Sequence, residues 1–382
     1  MVAVKLFSLR QILAYCASVI LVIPSVHRLV AKSTGLNSVY LLLLGFLISY
    51  AAMPLLIAVS DKLRLVDHPD EDRKQHANPT PVIGGLAIYF SFIITIFLNF
   101  HFSEELKAIV IASSFILFLG LADDIWGLSA NIRLVGQLAA SLYIILFGVH
   151  MTFVPPYLGG IYTDIVLTLV WLIGITNSMN FIDGMDGVAS GTCIIYSAFF
   201  AIIAFVTKQD YFLFMSLAIV GSCFGFFVFN FKKNRPAIVF LGDSGATFLG
   251  FLLASFAILG EWGESIIDIV IPVLIMSVLI FDMTLTTVVR IYTGDVKTFS
   301  QWLHYTGRDH FHHRLADLGI SKYQATWLFF GVSISFGIEA LAILFANVLV
   351  SVLILIHSVL VFAIIGIILV VRNKSKSQIT IN

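Results

Sequence analysis

Apolar residues do not alternate along this chain. They come in long unbroken runs separated by short polar stretches. Twelve runs stand out: 9–30, 38–60, 83–100, 107–122, 134–150, 164–180, 190–207, 211–231, 244–260, 266–290, 325–346 and 349–371. A helix needs roughly 20 apolar residues to cross the hydrocarbon of a bilayer, and these runs approach or reach that length. Barrel strands would be about 10 residues long with polarity alternating at every second position, which the runs do not show. The pattern predicts an all-α, polytopic integral membrane protein with about 11–12 transmembrane helices.

Composition agrees with that pattern. The 382 residues are 59% hydrophobic and 12% charged, with a mean hydropathy of +1.00, whereas soluble domains carry about 25% charged residues. An ordinary soluble enzyme is excluded, and a formal net charge of zero gives no reason to expect nucleic acid as a partner. The first run follows Lys5 and Arg10, as a signal peptide would. It is long, however, and no small-residue cleavage site follows, so a retained helix is expected. Cys16, Cys193 and Cys223 fall inside apolar runs without a CxxC pair and read as packing residues.

Charge asymmetry sets orientation, because Lys and Arg concentrate in cytoplasmic loops. With the N-terminus inside, all Lys and Arg except Arg28, Lys32, Lys107 and Lys208 fall on the cytoplasmic side, 18 of the 22. Both termini are therefore expected inside, with Arg28 and Lys32 pulling the first hairpin the other way. Five polar segments, after runs two, four, six, eight and ten, share the cytoplasmic side.

The first segment, 61–85, reads DKLRLVDHPDEDRKQHANPTPVIGG. It suits a solvated loop facing headgroups, or a phosphate or nucleotide contact through Lys74. Thr80-Pro81 and Gly84-Gly85 enter the next helix, and glycine there permits close backbone approach. The second, 120–133, reads GLADDIWGLSANIR, and Asp123 and Asp124 end the fourth run. Acids at the edge of hydrocarbon are costly and point to function by default. Neighbouring carboxylates also repel, and a hard divalent cation relieves both penalties. The plainer alternative is a helix-terminal pair in water.

The third segment, 177–191, reads NSMNFIDGMDGVASG. On a helix, Asn180, Asp183 and Asp186 would form a polar stripe, with Gly184 and Gly187 loosening the helix into a turn. Such a stripe suits a metal, a ribose or a base edge. The fourth, 230–247, reads NFKKNRPAIVFLGDSGAT. It begins at Asn230 and ends in the compact turn Gly242-Asp243-Ser244-Gly245, where Asp243 is a candidate metal ligand and loop amides can face phosphate. Phe240 reads as a membrane-edge aromatic or a platform for a base. Lys232, Lys233 and Arg235 satisfy the charge rule with no further role.

The fifth segment, 291–322, contains GRDHFHHRLADLG, with His310, His312, His313 and Arg314 within five residues. The spacing does not match HExxH zinc sites. Proton transfer, contacts to phosphate and sugar, and an exposed histidine-rich loop all fit. Asp282, two turns before Arg290, reads either as half of a structural ion pair or as a carboxylate at the site's edge. His27, His101, His150 and His357 lie away from the proposed face, and Glu339 stands isolated in run eleven.

In order along the chain, TPVIGG, LADDIWGLS, NSMNFIDGMDG, FLGDSG and DHFHHRL resemble the motifs of the polyprenyl-phosphate N-acetylhexosamine-1-phosphate transferase superfamily, glycosyltransferase family 4. The resemblance spans residues 55–371. The HxHHR form is similar to the N-acetylglucosamine-1-phosphate branch, which initiates enterobacterial-antigen, lipopolysaccharide O-antigen and teichoic-acid synthesis. The muramyl-pentapeptide branch has three consecutive histidines, which this chain lacks.

The resemblance implies transfer of a sugar 1-phosphate, N-acetylglucosamine above others, from a UDP-N-acetylhexosamine to undecaprenyl phosphate, with release of UMP. It implies a cytoplasmic active site in the inner membrane and a Mg²⁺ cofactor, with Mn²⁺ as a substitute, and it is compatible with a homodimer. By motif, Asp243 and Asp183 would bind the metal, and Asp123 or Asp124 would assist it or take the acceptor's proton. Asn180, Asp183 and Asp186 would line the nucleotide and metal pocket, and Phe240 would stack on uracil. His310, His312, His313 and Arg314 would contact sugar and diphosphate, with Lys74, Thr80 and Asn230 completing the substrate set.

Members of the family usually have fewer spans. Residues 1–32 are therefore expected to be an added N-terminal helix, 33–371 the transferase domain and 372–382 a cytoplasmic tail. Two readings compete. An intramembrane prenyltransferase also uses paired Asp-rich motifs, but Asp123-Asp124 is followed by Ile-Trp-Gly, so DDxxD fails. A twelve-helix secondary transporter would keep its coupling charges near the midplane, whereas these acids cluster at one face.

Overall fold

The computed structural model of the protein describes residues 8–30, 33–67, 79–99, 102–233, 235–262, 269–305, 307, 309–317 and 319–379. Lys74 and His101 lie outside the described residues, and so does the side chain of His312.

Each apolar run folds as helix. The first breaks into α1 (Leu9–Val22) and α2 (Pro24–Val30), which meet at 75°. Proline causes the break, because it lacks an N–H and its ring clashes with the carbonyl four residues earlier, so it starts a helix rather than continuing one. Next come α3 (Thr34–Leu63), α4 (Gly84–Asn99), α5 (Glu104–Trp126), α6 (Ala130–Leu146), α7 (Ile161–Ile182), α8 (Val188–Val206), α9 (Asp210–Asn230) and α10 (Gly242–Leu259). The tenth run divides at Met276 into α11 (Val270–Ile275) and α12 (Ser277–Thr293). Two short helices, α13 (Phe299–His304) and α14 (Phe311–Asp317), carry the histidine segment, and α15 (Lys322–Ile343) and α16 (Val348–Ile379) follow. The backbone of α16 thus stays helical through residues 372–379, where a tail was expected.

Among the described residues, eight helices are long and apolar enough to cross a bilayer by themselves: α3, α5, α7, α8, α9, α10, α15 and residues 348–370 of α16. The helices α4 and α6 are shorter but also apolar. The chain is an all-α, multi-pass membrane protein.

The innermost helix is α10. Every residue from Ser244 to Ala257 is buried, as expected for a helix apolar on all sides. It packs against α5, α7 and α4, while α9 packs against α3 and α8. The start of α10 is pinned by its neighbours. The Gly84 and Gly85 amides, which no turn of α4 can satisfy, donate to the carbonyls of Phe240 and Leu241 at 3.0 and 2.9 Å. Gly85 and Gly245 touch there, and a Cβ on Gly85 would overlap Gly245 backbone. Beside them, β1 (Val66–Asp67) and β2 (Thr80–Pro81) form a two-residue antiparallel ribbon, with Val66 opposite Pro81 and Asp67 opposite Thr80. The ribbon joins the same junction, since the Phe240 amide donates to the Pro81 carbonyl at 2.7 Å.

Glu339 is not isolated. It accepts from His357 Nδ1 at 2.9 Å and from Ser358 Oγ at 2.5 Å, which ties α15 to α16. A polar group at that depth needs such a partner, because lipid offers none.

Candidate active site

At one end of the bundle, the ends of α5, α7 and α9 and the start of α10 surround a cavity of about 890 Å³. Asp123 and Asp124 reach it from α5, Asp183 and Asp186 from the turn after α7, Asn230 from the end of α9, and Phe240 and Asp243 from the entrance to α10. Thr80 lines it from the ribbon. Eight of the residues singled out in the sequence therefore share one cavity, although up to 163 positions separate them in the chain.

The polar stripe expected on a helix is a turn instead. The helix α7 stops at Ile182, Asp183 caps it, and Gly187 at φ +79° swings the chain into α8. Glycine tolerates that left-handed conformation at little cost. The turn carries Asp183 and Asp186 into the cavity, while Asn180 stays in the last turn of α7 and does not line it.

Similar carboxylates have different surroundings. Asp124 accepts the backbone amides of Asp243 and Ser244 at 2.9 and 3.1 Å, so α5 caps the start of α10. Asp123 is buried, takes the Leu128 amide at 2.6 Å and pairs with Arg133 at 2.8 Å. Asp186 accepts the Ala237 amide at 2.9 Å. Asn230 accepts from the Gly187 amide at 2.8 Å and donates to the Val239 carbonyl at 2.9 Å, bracing the turn against the segment before α10. These four hold backbone in place. Asp183 and Asp243 remain: Asp243 has Arg133 at 3.8 Å, and no hydrogen-bond donor among the described residues is assigned to Asp183. Removal from water pushes the Asp183 carboxyl well above its ordinary value, and the charges of Asp243, Asp124 and Asp186 push it further.

The sequence reading missed three participants. Arg133 had been counted only for topology, yet it lies between Asp123 and Asp243. Its position follows from Ser129, which caps α6 through the Ile132 amide and so places Arg133 near the start of that helix. Asp67 and Lys322 also line the cavity, and nothing in their local sequence marks them. Arg133→Leu removes the charge that offsets the buried Asp123 carboxylate. It is expected to cost about 1–3 kcal/mol, seen as a lower Tm of the detergent-solubilised protein, and an unchanged Tm would show that the pair does not support this end of the bundle.

The histidine segment lies beside the cavity. His310 is buried, stacks on Phe181 with ring centroids 4.7 Å apart and hydrogen-bonds to Asp282, while the buried Arg314 donates from Nε to the Asp309 carbonyl at 2.6 Å. Neither lines the cavity, nor does His313, which is half-buried. Of the two readings of Asp282, the ion pair with Arg290 does not form. Asp282 takes His310, and Arg290 makes a two-pronged pair with Asp309 at 2.7 Å for each prong. Burial alone would raise the Asp309 carboxyl, but the bonds from Arg290 outweigh it and hold the group below its ordinary value.

The sequence is similar to those of known proteins. The model of the family described as glycosyl transferase family 4 matches residues 106–261. The chain is 31% identical over 309 residues to the probable undecaprenyl-phosphate N-acetylglucosaminyl 1-phosphate transferase of Bacillus subtilis, covering 79% of this chain and 84% of that protein. It is 30% identical to the decaprenyl-phosphate N-acetylglucosaminephosphotransferase of Mycobacterium leprae, over 78% of this chain and 82% of that one. It is 36% identical to the phospho-N-acetylmuramoyl-pentapeptide-transferase of Streptococcus pneumoniae, over a shorter stretch, 59% of this chain and 74% of the relative. With motifs, cavity and relatives in agreement, the chain belongs to glycosyl transferase family 4, the polyprenyl-phosphate N-acetylhexosamine-1-phosphate transferase superfamily.

Proposed function

We propose that this protein transfers N-acetylglucosamine 1-phosphate from UDP-N-acetylglucosamine to undecaprenyl phosphate. The products are undecaprenyl-diphospho-N-acetylglucosamine and UMP, and the product lipid begins an envelope polysaccharide. The observation that carries the reading is the pair Asp183 and Asp243, brought from separate helices to one cavity at the end of a membrane bundle and left for a ligand while neighbouring polar groups hold backbone. The two longest-matching relatives named above are N-acetylglucosamine-phosphate transferases, which favours that donor over the muramyl-pentapeptide one.

In the reaction, an oxygen of the lipid phosphate attacks the sugar-bearing phosphorus, and the bond from that phosphorus to the UMP oxygen breaks. The sugar C1–O bond is untouched, so its anomeric configuration is kept. Such transfers depend on positioning and on neutralising charge. Phe240 is placed for a base to stack on, and Lys322 and Arg133 offset the anionic ligands. The lipid phosphate must reach the cavity at the membrane interface, since the prenyl chain stays in lipid while the nucleotide comes from water.

Mg²⁺ fits these residues. No three described His, Cys, Asp or Glu side chains enclose a metal by themselves, but Mg²⁺ is commonly held by one or two carboxylates plus substrate phosphates and water. Asp183, its carboxyl raised by burial and then by its acidic neighbours, and Asp243 are the two that would hold it. When bound, the ion would neutralise the diphosphate. The reading puts the site on the cytoplasmic side of the inner membrane, and the positive residues Lys62, Arg64, Arg133, Lys232, Lys233, Arg235 and Lys322, in segments at the cavity end, support it.

The test is a donor screen with the purified protein, undecaprenyl phosphate and Mg²⁺. UMP and a diphospholipid should form from UDP-N-acetylglucosamine in preference to other UDP-sugars. Preference for UDP-N-acetylmuramyl-pentapeptide would move the chain to the other branch, and nucleotide-sugar uptake into proteoliposomes without UMP would overturn the reading.

A further inference from the structure

Asp282 is fully buried in α12, and both its oxygens are taken by one short stretch of chain. His310 Nδ1 lies 2.8 Å from Oδ2, and the Phe311 amide donates to Oδ1 at 2.5 Å. Arg290 only donates and faces the ring's other nitrogen, so the hydrogen sits on Nδ1, towards Asp282, and the ring's orientation is set. The face of the ring rests on Phe181 at an interplanar angle of 28°, two residues before Asp183. Two turns further along α12, Arg290 grips Asp309 and lies 4.3 Å over the Tyr305 ring. The Arg290 Nη2 is 3.5 Å from His310 Nε2. None of Asp282, Arg290 and His310 lines the cavity.

We propose that Asp282 is a positioning residue for the transfer reaction: by holding His310 and the Phe311 amide, it sets the start of α14, which carries His313, against the end of α7, which carries Asp183. Burial argues for this over direct contact. His310 is 6% exposed, its Nδ1 is occupied by Asp282, and one face is covered by Phe181. It transmits position, and the side chains it places meet the ligand. The inference rests on the sugar-phosphate transfer proposed above.

The experiment measures kcat and KM for UMP release per folded full-length protein in nanodiscs, with UDP-N-acetylglucosamine, undecaprenyl phosphate and Mg²⁺. Asp282→Asn keeps one acceptor for the Phe311 amide but can turn an NH₂ towards His310 Nδ1–H. It should lower kcat about 100-fold, the scale of a misplacement of about 1 Å, with little change in KM for the nucleotide. His310→Asn puts an amide N–H near the place of Nδ1–H and should stay within about tenfold of wild type, whereas His310→Gln, whose amide reaches the Nε2 position instead, should fall as far as Asp282→Asn. The double variant Asp282→Asn/His310→Asn should be no worse than Asp282→Asn, as for residues acting as one unit.

A wild-type kcat for folded Asp282→Asn, whatever its Tm, reduces the pair to a structural contact and overturns the proposal. So does His310→Asn as inactive as His310→Gln, because the imidazole itself would then be needed. That second comparison decides the matter even where Asp282→Asn does not fold. Absence of UMP from the wild-type protein with every donor would instead remove the proposed function on which the inference rests.

Discussion

Asp243→Asn is expected to abolish transfer while leaving the protein folded in the membrane. Asparagine has almost the shape of aspartate, and the start of α10 is held through backbone amides that the change does not touch. What is lost is the charge facing the cavity, together with its long contact to Arg133, which keeps its shorter pair with Asp123. Two anionic substrates must meet there, and the acids that would hold a neutralising cation are Asp243 and Asp183. Loss of one preorganised electrostatic partner in a water-poor site costs up to about 10³-fold in rate, and Asp183→Asn should match it. UMP release and Tm measured on the same preparations check this. Near-normal release at an unchanged Tm would take Asp243 out of the site.

Asp124→Asn should fail differently, losing stability as well as rate. The carboxylate of Asp124 takes two amides at the positive end of α10, where charge-assisted bonds are strongest. An amide offers one oxygen to two donors and turns its own NH₂ at the second. The expected loss is about 1.5–3 kcal/mol, seen as a lower Tm. Asp243, which sits on the released turn, should be displaced enough to cut kcat about 100-fold. A drop in kcat with Tm unchanged would mean that Asp124 meets the ligand and does not brace α10.

The contrast between these two acids marks what the sequence could and could not disclose. The apolar runs predicted the helices, because hydrocarbon demands unbroken apolar stretches, and five polar motifs on one side predicted a shared site. The run 9–30 reads as one helix although Pro24 explains its break into α1 and α2, and the break at Met276 had no such marker. The division of labour was invisible. Asp123, Asp124 and Asp243 are the same letter, and their roles follow from partners 10 and 119 positions away. The resemblance implied a substrate contact for His310, and it is the approach of Asp282, 28 positions earlier in the chain, that shows the ring buried. Spacing left Asp282 open between an ion pair with Arg290 and a carboxylate at the site's edge, and the folded loop brings each of the two residues another partner.

The braces described here also separate two kinds of evolutionary freedom. The carboxylates are mounted on helix ends whose mutual placement is fixed by glycine contacts and backbone amides deep in the bundle. The connection from Asp295 to His304, by contrast, takes part in none of the hydrogen bonds described above. Substitutions there are expected to leave the acids in place. The frame that fixes the site and the stretch free to drift are different parts of one chain.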